Sequence, residues 1–365
     1  MTYSYVPILK TKRAEFTALN QLNATTKSKI IPLLEIEPVP IDPDTELPAK
    51  SYDDFLANFG QKIATATDDI DMVYLDGLLI ESQFISPADI YPITNAVTQV
   101  RAAGVHVIPV SSPTRDMAYR NAVDTLIQGE ICLRLTIADL ANPQLLMNYI
   151  SHLGIPFQNI DIVIDLRDTV TEDNINLGTQ QTLTSGFINN LPHLSDYRRV
   201  ILSSGSFPTD LTNIPVGSHR LQRLEWTLWQ DLYRSKTLER FVLFSDYGIQ
   251  HPDYTRLPTR FPSVSASVRY TVDDDFLILR GRKANQYGFE QYGKHSQDIV
   301  NHPDYAGQHF SAADLMIHDY AQTYAAHLQN SQPNPSFGSA ETWRKIGQDH
   351  HITKVVDQLA SLYGL

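Results

Sequence analysis

Short, β-rich apolar runs return along this chain about every 25 to 40 residues, each followed by a segment of helical periodicity. The runs cover residues 5–9, 30–36, 72–75, 105–110, 131–135, 160–164, 200–202 and 241–244. Between them, residues 52–64 follow a Ser51 N-cap and carry Phe55, Leu56, Phe59 and Ile63 on one side. Helical patterns over 91–103, 117–128 and 139–153 stop at Gly104, Gly129 and Gly154, and another spans 221–238. Parallel strands need a crossover between them, so repeated strand–helix alternation is the mark of βαβ units. Eight such units favour an α/β fold of the (β/α)8 barrel type over an open doubly wound sheet.

After Tyr247 the rhythm stops. Residues 250–262 are turn-rich, with His251-Pro252, Leu257-Pro258 and Phe261-Pro262. Residues 264–272 and 276–280 then read as a β-hairpin around Asp273-Asp274-Asp275. Helical stretches near 285–301, 311–328 and 340–363 follow, broken by a Pro/Gly-containing segment at 332–338. The expected organisation is a barrel over residues 1–250 and a C-terminal hairpin with helices over 251–365, packed on the barrel. That tail is either a subdomain or an elaborated final β–α unit.

Charge and cysteine content narrow the function. Twenty-nine Lys and Arg against 41 Asp and Glu give a net charge of −12, which disfavours general binding to nucleic acid or an anionic membrane. A single cysteine, Cys132, excludes an intramolecular disulfide and any multi-cysteine metal cluster. No run approaches the ~18 apolar residues of a membrane span, and the N-terminus lacks a signal-type apolar region, so the expected location is the cytoplasm.

Alternation within the strands points to a site. In residues 161–167 one face carries Ile162, Ile164 and Leu166, and the other Asp161, Val163, Asp165 and Arg167. Ile and Leu belong beneath the outer helices, so the polar face points to the barrel axis. Lys10, Glu35, Asp76, Ser111, Arg134, Asp165, Ser203 and Asp246 all fall at or near C-terminal strand ends, where barrel active sites are built. Lys10, Glu35, Asp76, Asp165 and Asp246 form the candidate catalytic set. Its carboxylates are suited to hold Mg²⁺ or another divalent cation, or to act as an acid–base pair. Lys10 is suited to clamp a phosphate or to serve as a nucleophilic amine. Arg115, Arg134 and Arg167 offer bidentate donors to a carboxylate or phosphate, and Ser111, Ser203 and Ser206 add hydroxyls. Arg280 and His350 are expected to reach the mouth from the tail, as parts of a lid.

No nucleotide-loop, serine-hydrolase or zinc-protease signature is present. Another set of residues is distinctive: Tyr5-Val-Pro-Ile-Leu-Lys-x-Lys, Glu15-x-x-Ala-Leu19, Ile31-Pro-Leu-Leu-Glu35 and Ser206-Phe-Pro208. With Asp246-Tyr-Gly248, His251-Pro252, Arg269-Tyr-Thr271, Arg280-Gly281, Trp343-Arg-x-x-Gly347 and His350-His351, the chain resembles the Beta protein family of bacteria and bacteriophages. The resemblance spans essentially the whole chain and implies that barrel and tail form one unit. It draws interest to Lys10, Glu35, Asp246, Arg280 and Trp343, and implies a setting in phages or in mobile, defence-associated loci, but no reaction. Two functions follow as expectations. One is a hydrolase or phosphoryl-transfer-like enzyme acting on a small anion at the barrel mouth. The other is a non-catalytic sensor or protein-interaction module of a phage-defence assembly.

Overall fold

The computed structural model describes residues 5–42, 44–80, 91–170, 177–253, 264–329 and 335–364. Eight parallel strands close a barrel: β1 (Tyr5–Lys10), β2 (Leu33–Glu35), β3 (Val73–Asp76), β4 (Val107–Ser111), β5 (Ile131–Leu135), β6 (Ile160–Asp165), β7 (Arg199–Ser204) and β9 (Leu243–Asp246). The barrel closes where Tyr5 to Pro7 of β1 run beside Phe244 to Asp246 of β9. Between strands lie the outer helices, among them Arg13–Gln21, Pro92–Ala102 and Leu224–Ser235. The helix expected over 52–64 is split at Asn58, whose φ of 58° is left-handed, into Tyr52–Phe55 and Phe59–Ala66. That over 139–153 restarts at Pro143, which sits at the first helical position behind an Asn142 cap.

Period-two alternation sorts the strand side chains. Leu9, Leu34, Leu75, Ile164 and Leu202 face outward into the core shared with the helices, whereas Ile8, Leu33, Tyr74, Val110, Val163 and Ile201 fill the barrel. Followed toward the C-terminal ends, the inward columns turn polar: Val6, Ile8, Lys10 on β1, and Asp161, Val163, Asp165 on β6.

The tail is built into the barrel. Strands β10 (Ser265–Thr271) and β11 (Asp275–Lys283) form the expected hairpin, and β8 (Gly217–Gln222) joins β11 to make a three-stranded antiparallel sheet. Residues 217–222 therefore form a strand, and the helix expected from Leu221 begins at Leu224. The sequence hides this strand, because its edge position leaves it polar and half exposed. The Leu257-Pro258 and Phe261-Pro262 pairs and residues 332–334 lie outside the described residues. The last helix, Ala340–Tyr363, starts at a Ser339/Thr342 capping box and joins two cores. Its first half buries Trp343 and Ile346 against the sheet, and its second half buries Ile352, Val355 and Leu359 with Tyr5 and Leu19 of the barrel wall. It thus fills the place of the eighth outer helix, and the hairpin with the helices Ala284–Tyr287, Glu290–Val300 and Ala312–Leu328 is an insertion before it. Close approach depends on glycine at Gly248 and Gly347. A Cβ on Gly248 (φ 62°) would meet Gln348 at 2.4 Å, and one on Gly347 would meet the Arg269 carbonyl at 2.8 Å.

The same helix carries an unusual acid. Asp349 is buried and its oxygens make no hydrogen bond among the described residues, although the Ala313 amide lies near. Burial pushes its pKa up to about 7. A raised carboxylate favours folding most below its unfolded value and loses that contribution as pH rises through about 7. Asp349→Asn is therefore expected to raise the melting temperature more at pH 8 than at pH 5.5; an equal shift at both pH values would contradict the assignment.

Candidate functional site

At the centre of the mouth lies Arg134, 2% exposed and ringed by carboxylates. Its Nε donates to Asp165 Oδ2 at 2.8 Å, and its Nη1 donates to Glu35 Oε1 at 2.8 Å and Asp76 Oδ2 at 2.7 Å. Nη2 donates to the Tyr247 hydroxyl at 2.6 Å, which in turn donates to Asp165 at 2.7 Å. Asp76 also holds Arg115 at 2.9 Å, and Lys10 approaches Glu35 at 3.8 Å. Burial alone would raise the pKa of Asp76, but Arg115 and Arg134 together hold it below the usual carboxylate range. For Arg134, burial opposes the charge, and Tyr247, Asp165, Glu35 and Asp76 outweigh it. Burial lowers Lys10, with Glu35 acting against it. Three cations and three carboxylates thus neutralise one another in a layer across the barrel.

Above this layer is a cavity of about 200 Å³ lined by Arg115, Arg134, Arg167 and Asp165 with the hydroxyls of Ser112, Thr114 and Thr136. Arg167 stands at its rim in a left-handed conformation (φ 50°), its amide bonded to Asp165 Oδ1 and its guanidinium paired with Asp253. Asp139 orders the hydroxyl wall, accepting from the Thr114 amide at 3.2 Å and the Thr136 hydroxyl at 2.9 Å.

Of the residues expected at the mouth, Lys10, Glu35, Asp76, Arg115, Arg134, Asp165 and Arg167 are brought together there. Ser203 faces inward by alternation with Ile201, but is fully buried and makes no side-chain hydrogen bond among the described residues.

Others lie elsewhere. Ser111 points out of the barrel to the Tyr149 hydroxyl at 2.9 Å, and its neighbour Ser112 lines the cavity instead. Asp246 likewise faces outward, accepting from Tyr5 at 2.5 Å and pairing with His351 at 3.0 Å, while the inward column continues through Tyr247. Both corrections have one cause: alternation turns the last polar residue of the strand outward and the residue after it inward. Ser206 binds Glu225 and the Leu224 amide, and so caps the helix that follows. His350 is fully buried, its ring nitrogens facing Asp314 at 2.9 Å and the Thr271 carbonyl at 2.7 Å, so it forms no part of a lid.

Nor do the expected carboxylates form one cation site. Arg134 occupies the space between Glu35, Asp76 and Asp165, and Asp246 is outside the barrel. Among the described residues, the group spaced to share an ion is Asp168, His251 and Asp253, on the rim. His251 Nδ1 there already accepts from the Asp253 amide at 3.0 Å.

The Lys10-x-Lys12 segment ends β1 at this mouth, and Asp246-Tyr247-Gly248 links β9 to the last helix, so the distinctive residues of the chain are those that build the site and its supports. The family model of the Beta protein matches residues 5–357. The chain belongs to the Beta protein family. Because the match runs through β1, the hairpin and most of the last helix, the Beta protein unit comprises barrel and tail together. A search of curated proteins gives no match.

Proposed function

We propose that the protein binds a small anionic ligand, of carboxylate or phosphate type, at the C-terminal mouth of its barrel. The observation that carries this reading is the mouth cavity itself, where three guanidinium groups from consecutive βα units meet three hydroxyls. Arginine forks are suited to planar or tetrahedral oxyanions, and hydroxyls supply the further donors such ligands need. The carboxylates beneath are engaged by Arg134, so their role is to hold the guanidinium in place. Arg167 is half exposed and bound to Asp253, which makes it the residue to test. Arg167→Ala is expected to weaken binding of inorganic phosphate or a small dicarboxylate at least tenfold in calorimetry, with the melting temperature little changed. Unchanged affinity for every anion that binds the wild type would refute the reading.

A hydrolytic role is the second reading, and His251 favours it. This histidine stands at the rim beside Asp168 (3.6 Å), and burial lowers its pKa below that of an ordinary imidazole. Loss of phosphate-ester turnover in His251→Gln, with anion binding retained, would support it. The lone cysteine is buried, and among the described residues no helix is long and apolar enough to cross a membrane; both suit action in the cytoplasm.

A further inference from the structure

A second cavity, of about 340 Å³, opens between the end of β1, the loops after β7 and β9, and the tail sheet and last helix. Five cations line it: Lys10, which is already paired with Glu35 in the mouth layer, and Lys12, Arg269, Arg280 and Arg344. Against them stand two lining carboxylates, Asp210, which is exposed, and Asp253, which is already paired with Arg167. Behind the wall, Glu37 and Glu15 act on Lys12, and burial pushes Glu37 up to about 7. Arg344 makes no hydrogen bond or ion pair among the described residues. Among the described residues Arg280 donates to the Ser267 hydroxyl at 2.9 Å and feels the Asp210 charge, and Arg269 donates to the Ile249 carbonyl at 2.6 Å. Burial, and then the neighbouring Arg344 charge, pull Arg269 below the ordinary arginine range, although a guanidinium stays charged at neutral pH.

Gathering like charges in a partly closed cavity is costly unless an anion joins them. The volume suits a ligand of nucleotide size. Aromatic residues also line the cavity, yet their faces are taken: Arg269 lies 4.6 Å from the Phe207 ring, and Tyr292 stacks on Trp343 at 5.5 Å. Charge is what remains to be read.

We propose that this cavity is a binding site for a polyphosphate-bearing small molecule, held through Lys12, Arg269, Arg280 and Arg344 and selected by its phosphates and not by a ring. The site is separate from the mouth cavity, so the inference does not depend on the reading given for the mouth. Elements of the barrel and of the tail contribute side by side, so an occupied site would also tie the two together.

Calorimetry of the full chain with sodium triphosphate, and with adenosine and uridine triphosphates, at constant ionic strength tests this. All three ligands are expected to bind within a few-fold of one another. Arg344→Ala and Arg280→Ala, both partly exposed and therefore tolerant sites, are each expected to weaken binding at least tenfold, and Arg167→Ala, which frees Asp253 beside the cavity, to weaken it less than either. Absence of triphosphate binding to the wild type overturns the proposal. So does wild-type affinity in both Arg344→Ala and Arg280→Ala, or binding of one nucleotide without the other and without triphosphate. A loss confined to Arg167→Ala overturns it as well, while supporting an anion site at the mouth.

Discussion

Arg134→Leu is expected to cost about 3–5 kcal/mol of folding stability, enough to make the protein insoluble or to lower its melting temperature severely. The cause is the charge left behind. Glu35 and Asp76 are fully buried and Asp165 nearly so, and all three carboxylates turn on one guanidinium. Removing it leaves three anions in a low-dielectric layer, with Lys10, Arg115 and the half-exposed Arg167 nearby to offset them in part. Arg134→Lys separates charge from geometry: it keeps the cation but cannot reach three carboxylates and the Tyr247 hydroxyl together. The lysine variant is expected to fold, with stability between those of Arg134→Leu and the wild type in urea unfolding. A leucine variant as stable as the wild type would show that the layer does not support the barrel.

The second large effect is expected at Asp246, and it concerns the seam between barrel and tail. Asp246 is buried on the outer face of β9, where it accepts from Tyr5 and the Gly248 amide and pairs with His351 of the last helix. Burial would raise its pKa, but His351, with Arg223 and the hydrogen bonds, holds it below the usual range. A lowered carboxylate contributes stability above its unfolded value, near 4, and loses it as pH falls through its folded value. Asp246→Ala removes the acceptor from three buried donors, the Tyr5 hydroxyl, the Gly248 amide and His351, and is expected to cost about 3 kcal/mol or more at pH 7. Hydrogen exchange should rise first along Ala340–Tyr363, since that helix loses its polar anchor to the wall. Asp246→Asn should also flatten the acid side of the stability profile. Lost anion binding with unchanged stability would instead place Asp246 in the mouth.

Much of the architecture was legible because each barrel strand repeats one physical rule. A parallel strand under a helix must be apolar outward, so residues 160–165 announce both their conformation and their inward column. The mouth was legible for the same reason wherever the polar residue shared parity with the inward apolar ones, as Lys10 does with Val6 and Ile8. It was not legible on β4 and β9, where two adjacent polar or aromatic residues at the strand end, Ser111-Ser112 and Asp246-Tyr247, leave parity to be decided by where pairing begins. The basic cavity had no local signal at all. Lys12, Arg269 and Arg344 are separated by hundreds of residues or by a whole sheet and helix, and the motifs that contain them do not state that they converge.

By itself the chain determined eight βα units, an acidic surface, one unpaired cysteine, and a ring of charged residues at strand ends, since these depend on composition and on periods of two and 3.6. Only the tertiary structure decided which charges neutralise one another. Coulomb energy depends on distance in space, so whether Arg134 serves a ligand or three carboxylates cannot be read from spacing along the chain. Tertiary structure likewise decided that the last helix completes the barrel, because an outer helix is defined by the wall it covers and not by its place in the sequence.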